Sequence, residues 1–520
     1  MMAHELLLIL LGVLLFGGIL SGVPVSFVLL GAPFLVAVVG ATTGSFDLAF
    51  VDAFPSRAFG LLTNPVFVAV PLFVLMGSLL EKANIAKRMM LTAGALFGEQ
   101  KGGLAYAVIV VGALLAASTG VIGATIFMLG LIALPAMLSA NYSPRLASGV
   151  ICASGSLGQI IPPSILLILL ADQISAAYQS GRRSVGDFAP EPVSVGDLFA
   201  AALLPGLVLV GLYLLYTFVL SRLRPETCPP IRQLSATGEQ RKPGVGETIN
   251  ALVLPLALIL LVLGSILGGV ATPTESAALG AAGALVLVAM ERQTVSVWRR
   301  RVILAVLPAA FLLVVVKAFG GANASPILMA LGLASLVVLV AGVALAIWQE
   351  LRQGDLIGVA SSTATVVSML TLIVLGATML SLVFRGLGGD EMVADLLNGL
   401  PGGTATAVLA VMAVIFLLGF VIEYIEIIFI VVPVAAPPLM AAGVDPVWFA
   451  ILISMNLQMS FLTPPFGYAL FYFRSVAPAS LTTRDIYASV APFILLQLLA
   501  LALVAAFPAL ATWLPGVIFK

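Results

Sequence analysis

Residues Cys152–Ser164 read C-A-S-G-S-L-G-Q-I-I-P-P-S, and residues Met455–Gly467 read M-N-L-Q-M-S-F-L-T-P-P-F-G. Each stretch interrupts an apolar helix with small polar residues and then a proline pair. Proline removes an N–H donor and clashes with the preceding turn, so Pro162-Pro163 and Pro464-Pro465 must unwind their helices. Pro135, Pro144, Pro162 and Pro163 have counterparts at Pro437, Pro446, Pro464 and Pro465, all at one offset of 302 residues. The chain therefore carries an internal repeat of broken helices.

The setting of these breaks is hydrocarbon. Of the 520 residues, 61% are hydrophobic and only 9% charged, and the mean hydropathy is +1.20. A soluble domain is about 25% charged, so this is an all-α polytopic membrane protein. Net charge is zero, with 23 basic and 23 acidic residues, which excludes nucleic acid as a partner. His4 is the single histidine, and Cys152 and Cys228 lie in unlike settings. A histidine metal cluster and a disulfide framework are therefore not expected. The first apolar run lacks a basic segment before it and reads as a span rather than a cleaved signal.

A span needs about 20 apolar residues. Twelve candidates fit: 6–22, 25–40, 65–81, 146–172, 199–220, 249–268, 273–290, 302–320, 327–349, 358–385, 447–473 and 487–512. With the N-terminus outside, 17 of the 23 basic residues fall on the inner side and 6 (Arg57, Arg182, Arg183, Lys317, Arg385 and Lys520) on the outer. This satisfies the positive-inside rule. Residues 174–198 then form a polar outer loop, and 221–248 a Pro- and charge-rich inner loop.

Two apolar stretches do not fit the count. Residues 104–138 break at Ser118-Thr119-Gly120, and 404–440 at Gly419 and Glu423-Tyr424-Ile425-Glu426. Each is too short for two spans and a turn. Reading each as one span plus an interfacial helix would invert every later loop. Both are expected to be re-entrant hairpins. Seven spans separate them, so the copies have opposite topology, and inverted repeats with broken helices point to a secondary transporter's midplane site.

Unwound backbone and small hydroxyls offer hard oxygen ligands, which suit Na+, while half-helix N-termini suit an anionic substrate. One candidate ion site joins Ser118, Thr119 and Gly120 to Ser154, Gly155, Ser156 and Gly158. Its partner joins Glu423 and Glu426 to Asn456, Gln458, Ser460 and Thr463. Ser156, Gln159, Gln458 and Thr125 are the candidate substrate contacts. The competing reading of each Ser or Thr is a bond back to the carbonyl four residues earlier. Carboxylates at membrane depth are costly, which singles out Glu423 and Glu426. Glu275, in T-P-T-E-S-A-A, reads instead as a helix cap.

These residues resemble a known family. P-L-F-V-L-M-G-S-L-L-E-K-A-N-I-A (Pro71–Ala86), A-A-S-T-G-V-I-G-A-T (Ala116–Thr125), T-P-T-E-S-A-A (Thr272–Ala278) and the two double-proline segments are similar to the large membrane subunit of TRAP (tripartite ATP-independent periplasmic) transporters. The resemblance implies Na+-driven uptake of an organic acid by an elevator motion in a bacterial cell inner membrane. A transport domain would carry both hairpins against a scaffold. A periplasmic binding protein would deliver substrate, and a small four-helix subunit would brace the scaffold. It further implies that Gly158, Ile161 and Pro163 supply carbonyls to one Na+, and Ser460, Thr463 and Phe466 to the other. On this division, 1–103 and 173–403 are scaffold helices, 104–172 and 404–475 the two transport repeats, and 476–520 a C-terminal helix.

The chain departs from many relatives at Ser118-Thr119-Gly120, at Ser460 and at Glu423–Glu426. Those variants resemble a branch labelled for mannitol, chloroaromatic or 2-oxo acid uptake. The pair 302–349 also exceeds shorter members. Three other readings compete. A stand-alone dicarboxylate or anion carrier would need no binding protein. A passive channel lacks a repeated filter here. An intramembrane enzyme lacks the histidine that its chemistry would use.

Overall fold

The computed structural model describes residues 2–82, 85–119, 122–230, 244–291, 301, 305–320, 326–353, 355–465 and 467–519. Helices and turns supply all regular structure among them. Nine of the described helices are long and apolar enough to cross a bilayer, or ten if the bent pair Ala49–Leu62 and Pro65–Glu81 is one span. Seven of the nine fall on expected spans. The other two, Ile122–Ser139 and Tyr424–Ala441, are second arms of the expected hairpins. The count of twelve falls because Ala251–Leu267, Val306–Lys317 and Pro446–Leu462 are shorter apolar helices. The expected span 146–172 divides into Pro144–Ser156, a 3-10 turn at Leu157–Gln159, and Ile165–Ser184.

Other boundaries shift for identifiable reasons. The expected outer loop 174–198 shrinks to 185–194, because Ile165–Ser184 runs on through good helix formers beyond the apolar run. Its end is closed by an Arg182–Asp187 ion pair at 3.0 Å. The next helix, Val195–Leu223, opens on a reciprocal capping box between Ser194 and Asp197. The last expected span, 487–512, ends at Ala506, and Pro508 begins a separate helix, Ala509–Ile518. Segments left unassigned hold short helices at Phe54–Leu62, Ile85–Phe97 and Gly389–Asn398.

Glu275 is a cap, as expected: its carboxylate accepts from Thr272 N–H at 2.8 Å. It also meets Lys317 Nζ at 3.0 Å, which fastens the first helix of the pair 302–349, Val306–Gly320, to Pro273–Glu291. Arg145–Asp485, Arg182–Asp187, Lys317–Glu275 and Arg385–Asp390 each join residues that the charge count puts on one side.

The first hairpin consists of Gly103–Thr119 and Ile122–Ser139, packed on each other. Both of its feet hang on one strap. Gly102 N–H donates to Cys228 O at 2.9 Å, and Ser143 N–H donates to Thr227 O at 2.8 Å. The hairpin thus enters and leaves at the same end. Cys228, expected in a polar loop, is buried there, and burial pushes its thiol up from the ordinary range. The second hairpin consists of Thr404–Leu418 and Tyr424–Ala441.

The two halves are interleaved. Ile165–Ser184, which follows the first break, packs along the second hairpin's arm Tyr424–Ala441. Tyr468–Val476, which follows the second break, packs along the first hairpin's arm Ile122–Ser139. Close approach requires glycine at both crossings: Gly181 lies against the Pro437 carbonyl, and Gly123 against the Tyr472 ring. Gly181→Val must displace backbone, and such overpacking costs about 1–3 kcal/mol. It is expected to lower the thermal midpoint of the purified chain. Gly211→Val, with open space around it, should leave the midpoint nearly unchanged.

Candidate functional site

The two broken helices meet at their breaks. Both start with an X-Pro pair, Ser143-Pro144 and Asp445-Pro446, and Asp445 caps its helix by accepting from Trp448 N–H at 2.8 Å. Past the first break, Ser164 caps Ile165–Ser184 and donates to Gln159 O at 2.9 Å. Unwound backbone in a membrane has to be satisfied inside the protein, and here side-chain hydroxyls do part of that. Ser454 Oγ, from the other half, also donates to Gln159 O at 3.5 Å.

Ser156 and Gln458 stand at equivalent positions of the repeat and contact each other: Gln458 Nε2 donates to Ser156 Oγ at 3.4 Å. Gln497 Nε2, from the helix Thr483–Ala506, donates to the same oxygen at 3.4 Å. The Tyr213 hydroxyl lies beside Ser156 and Gln497. All four residues are buried. This forms a polar seam where the repeats cross.

The hairpin tips close on the same region. A methyl group at Gly112 would lie 2.6 Å from Ser154 Cβ, and one at Gly158 would lie 3.4 Å from Ala116 Cα. Gly155 sits against Ile126 of the same hairpin. In the other half, Gly419 sits directly on Ser460. Each hairpin therefore reaches the broken helix of its own repeat.

The expected site residues have distinct fates. The reading of a bond to the carbonyl four residues earlier holds at Thr463, which donates to Met459 O at 2.7 Å; Ser156 and Ser460 bond instead to the carbonyls three residues earlier, Ala153 O at 2.9 Å and Leu457 O at 2.8 Å. Their lone pairs remain to accept. Asn456 donates to Met412 O at 2.7 Å and so ties the second hairpin to its broken helix. Thr125 is buried in the first hairpin. Ile161 lies against Gly206, and Pro163 is buried. Ser118 and Thr119 end a described helix, but their side chains lie outside the described residues, as do Gly120 and Phe466. Glu423 is the extended N-cap residue of Tyr424–Ala441, and Glu426 is buried in the first turn.

Buried oxygens without a hydrogen-bond partner mark what the site lacks. They include Ser154 Oγ, Gln159 Oε1, Glu426 Oε2, Gln458 Oε1 and Gln497 Oε1. Such atoms are costly unless something pairs with them. They are uncharged or carboxylate oxygens, a donor set that fits a hard cation such as Na+. Among the described residues no group of three or more His, Cys, Asp or Glu is placed to hold a metal.

The sequence reading missed Gln497, Tyr213 and Ser454. Gln497 carried a signal, as the one amide inside the apolar run L-L-Q-L-L. Tyr213 carried none, because aromatics recur along membrane spans.

An all-helical membrane chain made of two interleaved halves, each with a hairpin and a broken helix, belongs to the class of secondary transporters. Comparison with known proteins narrows that class. The family described as "Tripartite ATP-independent periplasmic transporter, DctM component" matches residues 12–332 and 299–510, and the chain belongs to it. The C4-dicarboxylate TRAP transporter large permease protein DctM of Rhodobacter capsulatus is 27% identical over 509 residues, covering 96% of this chain and 99% of the relative. The ectoine TRAP transporter large permease protein TeaC of Halomonas elongata is 24% identical, covering 95% and 98%. The sialic acid permease SiaM of Vibrio cholerae is 24% identical, covering 96% of each. Among solved structures, the Alcanivorax borkumensis YdaH transporter shares the fold with a TM-score of 0.54. It is 15% identical and covers 89% of this chain and 88% of that one. The relatives are permease subunits, and the chain is not an enzyme.

Ser156→Ala and Gln458→Leu should be non-additive in a double-mutant cycle of thermal stability. The expected coupling is about 0.5–1.5 kcal/mol, the range found for buried bonds between membrane helices. Additive effects would separate the two residues.

Proposed function

We propose that this chain is the permease of a sodium-coupled secondary uptake system for an organic acid, multi-pass in a bacterial cell inner membrane. The observation that carries this reading is the set of unpaired buried oxygens at two symmetry-related breaks, each in contact with the hairpin of its own repeat. Ser154 and Gln159 at one break, and Ser460 and Thr463 at the other with Glu426 of the second hairpin, are the residues that would hold the ions. A bound Na+ supplies positive charge beside an anionic substrate and ties uptake to the sodium gradient. Gln159, unpaired at both ends of its amide, is the substrate contact we favour. Ser156 and Gln458 bond to each other and set the crossing of the repeats.

On this reading, the hairpins and broken helices of 104–172 and 404–475 move together as an elevator, and Val195–Leu223 and Thr483–Ala506, which the strap and the seam tie to them, move with them rather than with the expected scaffold of 1–103, 173–403 and 476–520. The family's description as tripartite and ATP-independent supports drive by an ion gradient, delivery by a periplasmic binding protein and a small four-helix membrane partner. The solutes in the relatives' names support an organic solute.

Uptake of labelled organic acids into proteoliposomes tests this, with and without a sodium gradient and with and without the binding protein. Dependence on both is expected. Indifference to the binding protein would indicate a stand-alone carrier, and drive by protons alone would recast Glu423 and Glu426 as a relay. In the same assay Glu426→Gln should cut sodium-driven uptake by about 10-fold or more, the loss of about 1.4 kcal/mol. Thr463→Val removes an accepting hydroxyl and should raise the half-saturating sodium concentration several-fold while changing substrate affinity less. An unaltered sodium titration would remove Thr463 from the site.

A further inference from the structure

A cavity of about 390 Å³ lies apart from the seam. Its volume is within the range of small-molecule sites. Two arginines and one carboxylate line it: Arg57, Arg385 and Asp172. One wall is Ile165–Ser184, and another is the second hairpin's arm, through Phe429 and Pro433. Asp172 is eight residues past Ser164, so about 12 Å above the first break at the helical rise.

Each charge has a definite set of partners. Arg385 Nε lies 2.8 Å from Asp390 Oδ2, so this guanidinium is already matched by a carboxylate. Arg57 makes no direct ion pair or hydrogen bond among the described residues, and shares Asp390 with Arg385 only at longer range. Asp172 is held as an acceptor at both oxygens, from Asn64 Nδ2 at 2.8 Å and Gln173 Nε2 at 3.1 Å. Asn64 cannot turn away, because its own oxygen accepts from Val66 N–H at 2.9 Å. The cavity therefore presents one guanidinium with no carboxylate in direct contact and one fixed carboxylate with spare lone pairs.

We propose that this cavity binds a monoanionic organic acid, its carboxylate on Arg57 and a hydroxyl or ammonium at its other end donating to Asp172. A single negative charge completes the pairing. A second carboxylate would meet Asp172, and like charges in a partly desolvated site repel. The site therefore discriminates against dicarboxylates, by a repulsive element as much as an attractive one. This inference rests on the reading that the chain carries organic acids.

The test is equilibrium binding to the full chain in lipid nanodiscs, with 4-hydroxybutanoate and succinate as probes, which share a four-carbon chain and differ in the group at the far end. The hydroxy acid should bind at least 10-fold more tightly. Asp172→Asn should bring the two affinities within about 3-fold by admitting succinate. Arg57→Gln should weaken both by about 10-fold or more, and Arg57→Lys should restore most of the loss. Equal affinities in the parent protein, or a ratio unmoved by Asp172→Asn, would overturn the site. So would binding unaffected by Arg57→Gln. Gain of succinate binding in Asp172→Asn cannot come from misfolding. Proteoliposome uptake separates the two levels: no uptake of any organic acid defeats the transport reading, whereas uptake with an unmoved binding ratio defeats only this site.

Discussion

A helix that unwinds inside hydrocarbon has to satisfy its freed backbone within the protein. That constraint acts twice here, at Pro162-Pro163 and Pro464-Pro465, and much of the architecture answers it. Ser164 and Ser454 spend hydroxyls on Gln159 O. The hairpin tips bring Ala116 against Gly158 and Gly419 against Ser460. The helices that leave the breaks cross into the opposite half, so neither repeat can bury its own break alone. The result is a packed interior in which the polar groups sit at the crossing and the lipid-facing helices stay apolar.

The crossing is a device for holding two interrupted helices at a fixed angle. Ser156 accepts amides from Gln458 and Gln497, and these come from the opposite repeat and from the C-terminal helix. Three elements far apart in sequence thus converge on one hydroxyl. Gln458 and Gln497 each use the nitrogen of the amide in this pairing and leave its oxygen without a hydrogen-bond partner.

Much of this was legible in the sequence, because the rules that govern it are local. Proline position is read directly, so the breaks and their common offset followed. Charge asymmetry gave an expected sidedness, and each ion pair joins residues that it puts on one side. Helix ends were less legible. Ile165–Ser184 outruns its apolar stretch because alanine, glutamine and arginine continue a helix outside the membrane as readily as leucine does within it. The short helix Gly389–Asn398 escaped because its residues are neither uniformly apolar nor capped by side chains. In the candidate site, the hydroxyls and amides beside the prolines were found by their spacing. Tyr213 and Gln497 were not, since nothing local says which face of a long span will meet a helix folded in from hundreds of residues away. Back-bonding four residues earlier was foreseen as the competing reading and is present at Thr463, while Ser460 bonds three residues earlier, so both spend their protons on the helix.

The strap formed by Thr227 and Cys228 gives the first hairpin a mechanical identity. Because both feet are moored to one short run at the end of Val195–Leu223, the two arms cannot splay independently of that helix. The hairpin is thus anchored as a single unit at its base. The long helix Val195–Leu223, which also carries Tyr213 into the seam and Gly206 against Ile161, then works as a tie-rod linking that base to the crossing.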